Sequence, residues 1–493
     1  MSLSNFRTLL GSRWRPARPR VFWPLVAFLT LLAAMGRDAL AADGDSSGPP
    51  EAPAGRDRPN VVLIVSDDQH WGDHGFMGHP HLRTPHLDRL ARESLVYRRG
   101  YVPSSLCCPS LASLITGRFP HEHRIVGNDP PDSDRLPRNT PEGRQRFEAG
   151  REAMNRHLAE WPTLPALLAP LGYRSLQTGK WWQGDFSRGG FTAGMTRGER
   201  HGDDGLAIGR KTFAPIETFI DESRAAGTPF LVWYAPMLPH DPHDPPADLV
   251  EHYAAVAPSP HVARYWGNVE RFDRTVGQLL DLLDAKGLTE STLVVFVTDN
   301  GWIQSPDHPR YAPRSKRSPY DGGVRTPILL RQPGRIAPAE SDVPVSSVDI
   351  VPTVLAATGA AAPAGLPGVD LLDPVAVAAR PAVFGECFTH TLVDLDDPTA
   401  SLLWRWVVRG RWKLIVPERL AATDRRLDVE GTALDADSRE WLEAGSPRLF
   451  DLDADSGENR DTAAEHPDLV ADLRGILDAW WMPGRPAPGA NTP

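Results

Sequence analysis

Two apolar runs in this sequence each end in a pair of side chains able to grip a cation. Asn60-Val61-Val62-Leu63-Ile64-Val65-Ser66 leads into Asp67-Asp68, and Thr292-Leu293-Val294-Val295-Phe296-Val297 leads to Asp299-Asn300. Unbroken β-branched runs of this length read as strands buried on both faces, the condition of a parallel sheet covered by helices. Ligand sites in such sheets form outside the carboxyl ends of the strands, where both acidic pairs fall. Adjacent carboxylates repel unless a cation or proton lies between them. Three carboxylates and one amide offer only oxygen, which suits one Ca²⁺ or Mg²⁺ ion. Zinc is a poor fit, because no His or Cys group has zinc spacing. Either pair alone would read as a solvated loop or a helix cap; two at strand ends point to a metal.

The rest of the chain supports this class. Residues 84–93 read as a helix with Leu87 and Leu90 inward, and another helix begins at the cysteine run. Residues 161–171 form a third helical stretch ended by Gly172, 230–234 a strand, and 269–283 a helix closed by Lys286-Gly287. Alternation of this kind predicts an α/β fold, a large mostly parallel sheet flanked by helices. Residues 130–160 are polar and Pro-rich and read as a surface excursion near the site. After about Arg380 the pattern changes. Residues 401–408, 412–416 and 449–452 read as short strands and 466–481 as an amphipathic helix. This predicts a smaller C-terminal α+β subdomain, an antiparallel sheet with a terminal helix. The division expected is 59–380 for the catalytic body and 381–493 for the subdomain.

The first 41 residues read as a secretory signal peptide: five arginines, an apolar run over 21–35, then Ala39-Leu40-Ala41 as a cleavage site. Pro24 interrupts that run, which is shorter than the ~20 residues of a spanning helix, so no stable membrane anchor is expected. A flexible linker over 42–58 follows, and the mature protein would be periplasmic or secreted. Cleavage after Ala41 removes six arginines and one aspartate, taking the formal charge from −10 to −15. Such a chain does not attract polyanions at long range, so nucleic acid is not an expected partner and any anionic substrate needs a local basic pocket. The three cysteines, Cys107, Cys108 and Cys387, form no disulfide framework.

Leu106-Cys107-Cys108-Pro109-Ser110-Leu111-Ala112-Ser113-Leu114-Ile115-Thr116-Gly117-Arg118 places a cysteine at a helix start, where the helix dipole favours an anion. Pro109 suits a first helical turn. The run resembles the signature of the sulfatase family, Cys-x-Pro-Ser-Arg followed by Leu-Thr-Gly-Arg, in which the first cysteine is oxidised to formylglycine. The resemblance aligns Cys107 with the modified residue and leaves Cys108 a thiol. It extends over about 59–327. Thr178-Gly179-Lys180-Trp181, Pro239-His240, and the long motif from Lys316 through Arg325-Thr326-Pro327 match family positions in order. It implies Asp67, Asp68, Asp299 and Asn300 as calcium ligands completed by the Cys107-derived oxygen. It also implies Lys180, His240 and Lys316 as catalytic residues around the sulfate ester, with Arg325 ordering its loop. Taken singly, each would read as a surface or loop residue.

The family mechanism then implies a hydrated formylglycine whose hydroxyl attacks sulfur, and an alcohol that leaves protonated by His240. A sulfated sugar or polysaccharide is the implied substrate, and a formylglycine-generating enzyme the implied partner in maturation. Two positions depart from the pattern: Leu111 replaces an arginine and Trp182 a histidine, both at the aldehyde end. His70, His121 and His123 are candidates to stand in. Two other readings stay open. One is a phosphodiesterase or phosphonate monoester hydrolase on the same fold, for which His308 is a candidate ligand. The other is a non-catalytic sulfated-glycan-binding protein with an unconverted Cys107.

Overall fold

The computed structural model describes residues 58–133, 135–418, 424–426 and 434–484. The main sheet is built from β1 (Asn60–Ser66), β2 (Leu95–Tyr101), β3 (Arg174–Gly179), β4 (Ala193–Gly194), β5 (Phe230–Ala235), β6 (Thr292–Thr298), β7 (Arg325–Arg331), β8 (Ala339–Ser341) and β9 (Val345–Ser346). Their order is β4-β3-β5-β1-β6-β7-β2-β8, with β9 also on β2. From β4 to β6 every pairing is parallel. β7 runs antiparallel to β6 and β2, while β8 and β9 run parallel to β2.

β1 shows why its sequence is apolar throughout. Val61, Leu63 and Val65 join one core, and Val62 and Ile64 the other. The first face is covered by helix α2 (Cys107–Thr116) and the helix Ile350–Thr358. Helix α1 (Pro85–Arg92) and the helices Ala214–Ala225 and Pro260–Ala285 cover the second. Each such side chain fully removed from water contributes about 1.5–3 kcal/mol. Register then assembles the site. Ser66 pairs with Thr298, so Asp67 and Asp299 emerge side by side. Gly179 pairs with Ala235, so Lys180 and the segment leading to His240 emerge at the same edge.

A separate four-stranded antiparallel sheet, β10 (Val383–Phe388), β11 (Leu402–Arg409), β12 (Trp412–Pro417) and β13 (Arg448–Asp451), lies in the C-terminal region. The helix Pro467–Trp480 buries Leu473 and Leu477 against its Val407, Leu414 and Leu449. Hydrogen bonds and ion pairs join this sheet to the main body. The Glu386 N–H donates to the Pro103 carbonyl at 2.8 Å. Lys413 Nζ lies 2.8 Å from Asp321 and 2.9 Å from Glu458, all three buried.

One expectation gains detail and another changes. The surface excursion at 130–160 carries the helix Pro141–Arg156, mostly exposed but burying Phe147, Arg151 and Met154. The helical stretch expected from 161 begins at Leu164, because Pro165 suits only a first turn, where its missing N–H costs nothing. The expected signal peptide, and the linker up to Asp57, lie outside the described residues. No described helix is long and apolar enough to cross a membrane.

Candidate active site

The strand ends deliver their side chains through short, constrained turns. Gly179 closes β3 with φ 76°, and a Cβ there would stand 1.8 Å from the Ala235 carbonyl oxygen, so only glycine fits. Lys180 follows, its N–H donating to that oxygen at 2.6 Å. Its Nζ reaches Asp67 Oδ1 at 2.6 Å and Asp299 Oδ2 at 3.3 Å. After β5 the chain runs beside Asp67, whose N–H donates to the Leu238 carbonyl at 3.0 Å, and this presents His240. The His240 ring is oriented through Nδ1, 2.6 Å from the Asp241 carbonyl oxygen.

Asp68 stands at the centre, in a left-handed conformation with φ 59° that an aspartate tolerates better than most residues. Its two oxygens face different neighbours. Oδ2 meets Lys316 Nζ at 2.6 Å and His240 Nε2 at 3.4 Å. Oδ1 accepts from Asn300 Nδ2 at 2.6 Å and lies 3.9 Å from Cys107 Sγ. Cys107 is the first residue of α2, entered from an extended Leu106, and its Sγ is 3.3 Å from Lys316 Nζ. Cys108 turns away. Its N–H donates to Asn128 Oδ1 at 3.0 Å, its Sγ lies 3.6 Å from Gln183 Nε2, and burial pushes its thiol up out of the reactive range.

Buried charge explains the electrostatics. Burial would raise the Asp68 carboxyl, but Lys316, His240 and Lys180 outweigh it and hold it below the ordinary range. Asp299 is less compensated: burial and then the Asp67 charge push it up to about 7 against the pull of Lys180. Burial would lower His240, yet Asp67 and Asp68 raise it to about 10. Lys180 and Lys316 likewise stay above their usual range despite burial, through Asp67 and Asp68 respectively. Asp67 Oδ2 and Asn300 Oδ1 are buried without a hydrogen-bond partner. Two orphaned oxygen acceptors beside crowded carboxylates fit a hard cation. Ligand atoms of Asp67, Asp68, Cys107 and His240 all lie within 4.8 Å of one another, one such cluster among the described residues.

The structure thus brings Asp67, Asp68, Cys107, Lys180, His240, Asp299, Asn300 and Lys316 together. The histidines considered as substitutes are engaged elsewhere. His70 Nδ1 accepts from the Gly72 N–H at 3.1 Å, His121 pairs with Glu386 and stacks on Trp481, and His123 meets Ser113 Oγ at 3.0 Å. His308 is exposed and accepts from the Arg310 N–H at 3.3 Å. Leu111 is fully buried in the core. Arg325 stacks over Trp71 at 3.9 Å and donates to the Arg98 carbonyl, bracing its loop.

A residue that sequence reasoning missed stands against Trp182 instead. The His201 ring is 4.5 Å from the Trp182 ring and 5.7 Å from that of His240, and burial, then the Arg200 charge, keep it neutral. His201 takes φ 73°, and its carbonyl accepts from the Trp181 N–H at 3.2 Å. No sequence spacing signals this, since a loop fold places the ring.

Fold and site together bring oxygen donors suited to a hard cation, two buried lysines beside them and a cysteine at a helix N-terminus to one sheet edge. The chain belongs to the sulfatase family, whose model matches residues 59–360. It is therefore a sulfuric ester hydrolase by class. It is 27% identical over 462 residues to arylsulfatase A of Bos taurus, covering 81% of this chain and 82% of that protein. It is 28% identical over 400 residues to N-acetylgalactosamine-6-sulfatase of Canis lupus familiaris, covering 71% and 72%. Among solved structures, Ps i-CgsB in complex with k-i-k-neocarrahexaose shares the fold at TM-score 0.64 and 21% identity, covering 86% of this chain and 93% of that one.

Proposed function

We propose that this chain is an exported, calcium-dependent sulfatase of a sulfated sugar or polysaccharide, with Cys107 oxidised to formylglycine as its nucleophile. The observation that carries this is the position of Cys107 Sγ, 3.3 Å from Lys316 Nζ and beside Asp68, while Cys108 points into the interior. The relative named for N-acetylgalactosamine-6-sulfate chemistry supports the substrate class. The arginine-rich segment, apolar run and Ala39-Leu40-Ala41 support export with cleavage after Ala41. Catalysis is assigned to 59–380, with 381–493 as the subdomain, and maturation to a formylglycine-generating enzyme.

Asp67, Asp68, Asp299 and Asn300 would hold the calcium ion, which when bound supplies a positive field that makes a nearby hydroxyl more acidic. An aldehyde hydrate at position 107 supplies an attacking hydroxyl and, unlike serine or cysteine, a second one through which sulfate is expelled. Asp68 separates the two halves of the work. Its Oδ1 lies on the side of Asn300 and Cys107, its Oδ2 on the side of Lys316 and His240. Lys180, Lys316 and His240 surround the sulfate and stabilise charge as the sulfur–oxygen bond breaks. With Nδ1 held by the Asp241 carbonyl, the His240 ring directs Nε2 into the site, where it protonates the departing alcohol oxygen.

Leu111 and Trp182 favour one second reading, a protein that binds sulfate without turnover, because neither side chain offers a charge or base to the aldehyde end. One experiment separates them: mass spectrometry of the Cys107 peptide from protein made in its native host, with parallel assays on an aryl sulfate and a phosphate diester. The expected result is an aldehyde at 107, a thiol at 108 and turnover of the sulfate ester. An intact thiol with strong turnover overturns the mechanism. An intact thiol without turnover supports the binding protein, and preference for the diester supports a phosphodiesterase.

A further inference from the structure

A cavity of about 740 Å³ opens between the helix Pro141–Arg156 and the loop 184–200. Arg138, Arg144, Arg151, Arg188, Arg197 and Arg200 line it, in a chain whose formal charge is −10. Four carboxylates line it too, but two are engaged. Glu152 accepts from Arg188 at 2.9 Å, and Asp185 accepts from the Ser187 N–H at 2.9 Å. Arg138 and Arg200 both bond Asp129, at 3.5 and 2.9 Å. Arg144, Arg151 and Arg197 have no described carboxylate within ion-pair distance. Arg151 is only 6% exposed, and its Nε has no hydrogen-bond partner. A buried guanidinium without a counter-charge is costly unless an anion reaches it.

The cavity adjoins the catalytic cluster. Arg151 Nη2 donates to the Trp182 carbonyl at 2.9 Å. The Arg200 guanidinium lies 4.6 Å above the Trp182 ring, whose other neighbour, His201, leads to His240. Arg200, on the cavity lining, thus reaches Trp182 and, through it, the His201 and His240 side of the site. Arginine forks suit planar or tetrahedral oxyanions, which they grip through two parallel N–H bonds.

We propose that this arginine-lined cavity is a subsite for a second anionic group, sulfate or carboxylate, on the saccharide whose sulfate ester lies at Cys107. This rests on the sulfatase reading above and adds that the substrate carries several charges.

The test uses the full chain with Cys107→Ala, so that binding is measured without turnover. Calorimetry compares three probes: an oligosaccharide sulfated on every residue, an unsulfated oligouronate, and a monosaccharide with one sulfate. Arg144→Ala combined with Arg197→Ala should lower the affinity for the sulfated oligosaccharide, relative to the monosaccharide, by about tenfold or more, the scale of a lost charge-assisted contact. Arg151→Lys, which keeps the charge and loses the fork, should act in the same direction. A parallel loss for the oligouronate shows that carboxylate suffices; a loss confined to the sulfated probe identifies a second sulfate. Unchanged affinity for both polymers in both variants, or no binding of either to the parent, overturns the subsite. Arginine-dependent binding by a protein that never hydrolyses a sulfate ester would instead sink the catalytic reading and leave the subsite standing.

Discussion

Asn300 Nδ2 donates to Asp68 Oδ1 at 2.6 Å across 232 residues of sequence, tying the end of β6 to the end of β1. The bond leaves Asn300 Oδ1 unpartnered at one strand end, as Asp67 Oδ2 is at the other, so both ends hold buried oxygens suited to a cation. Asp299→Ala should therefore lower bound calcium and turnover together, measured by elemental analysis and an aryl sulfate assay. Full activity in a chelated, metal-free sample would refute this.

Lys180, His240 and Lys316 should each matter for the sulfate rather than for folding alone. Losing one charge-assisted bond costs about 1.5–3 kcal/mol. Each residue changed to Ala should then cut kcat/KM by roughly tenfold or more, at about 1.4 kcal/mol per decade. His240→Ala should fall less on substrates with good leaving groups, since these need no proton. Equal losses on good and poor leaving groups would remove the acid role.

The two adjacent cysteines should behave oppositely. Cys107→Ala should abolish turnover, while Cys108→Ala, whose thiol is buried against Gln183, should keep it with a modest loss of stability. Thermal melts and rates on the same samples separate the effects. Loss of turnover in Cys108→Ala with an unchanged melt would contradict the assignment.

His123 gives the fold an acid-sensitive point. Burial, reinforced by the His121 charge, lowers its imidazole from 6.5 to about 3. The unfolded chain takes up a proton below its own value while the folded chain does not. Stability is thus fully present above about pH 6.5 and declines as pH falls, by on the order of 2 kcal/mol near pH 5. Urea denaturation at about pH 7 and about pH 5 should show this, with a smaller difference in His123→Gln. An equal difference in both proteins would place the acid sensitivity elsewhere.

Legibility in the sequence followed burial. β1 and β6 were readable because a strand covered on both faces has no polar position to interrupt it, and the polar pairs Asp67-Asp68 and Asp299-Asn300 lie just past their ends. β2 was not readable, because Arg98 and Arg99 sit mid-strand. They reach Glu340 at 3.2 Å and the Gly410 carbonyl at 2.7 Å, partners that exist only after folding. The helix Pro141–Arg156 hid for a similar reason: its buried face includes Arg151, bonded to the Trp182 carbonyl. The candidate site was legible where residues are contiguous in motifs. His201 was not, since its ring is placed by a left-handed backbone and by Gly202, where a Cβ would stand 2.4 Å from the Gly179 carbonyl oxygen.

Cys387 on β10 touches Ser105 Oγ at 3.3 Å and the Arg317 carbonyl at 3.2 Å, in the segments that carry Cys107 and Lys316. Lys413 on β12 holds Asp321, which opens the short helix Asp321–Val324 downstream of Lys316. A gene cut at the boundary between the two sheets would encode every residue of the candidate site and yet lose the Cys387 contacts that back the bond from the Arg317 N–H to the Ser105 carbonyl, which joins the segments of Lys316 and Cys107. Tails exchanged between members of this family would for the same reason carry over part of the donor's catalytic geometry. The seam in the architecture is not a seam along which the enzyme can be taken apart.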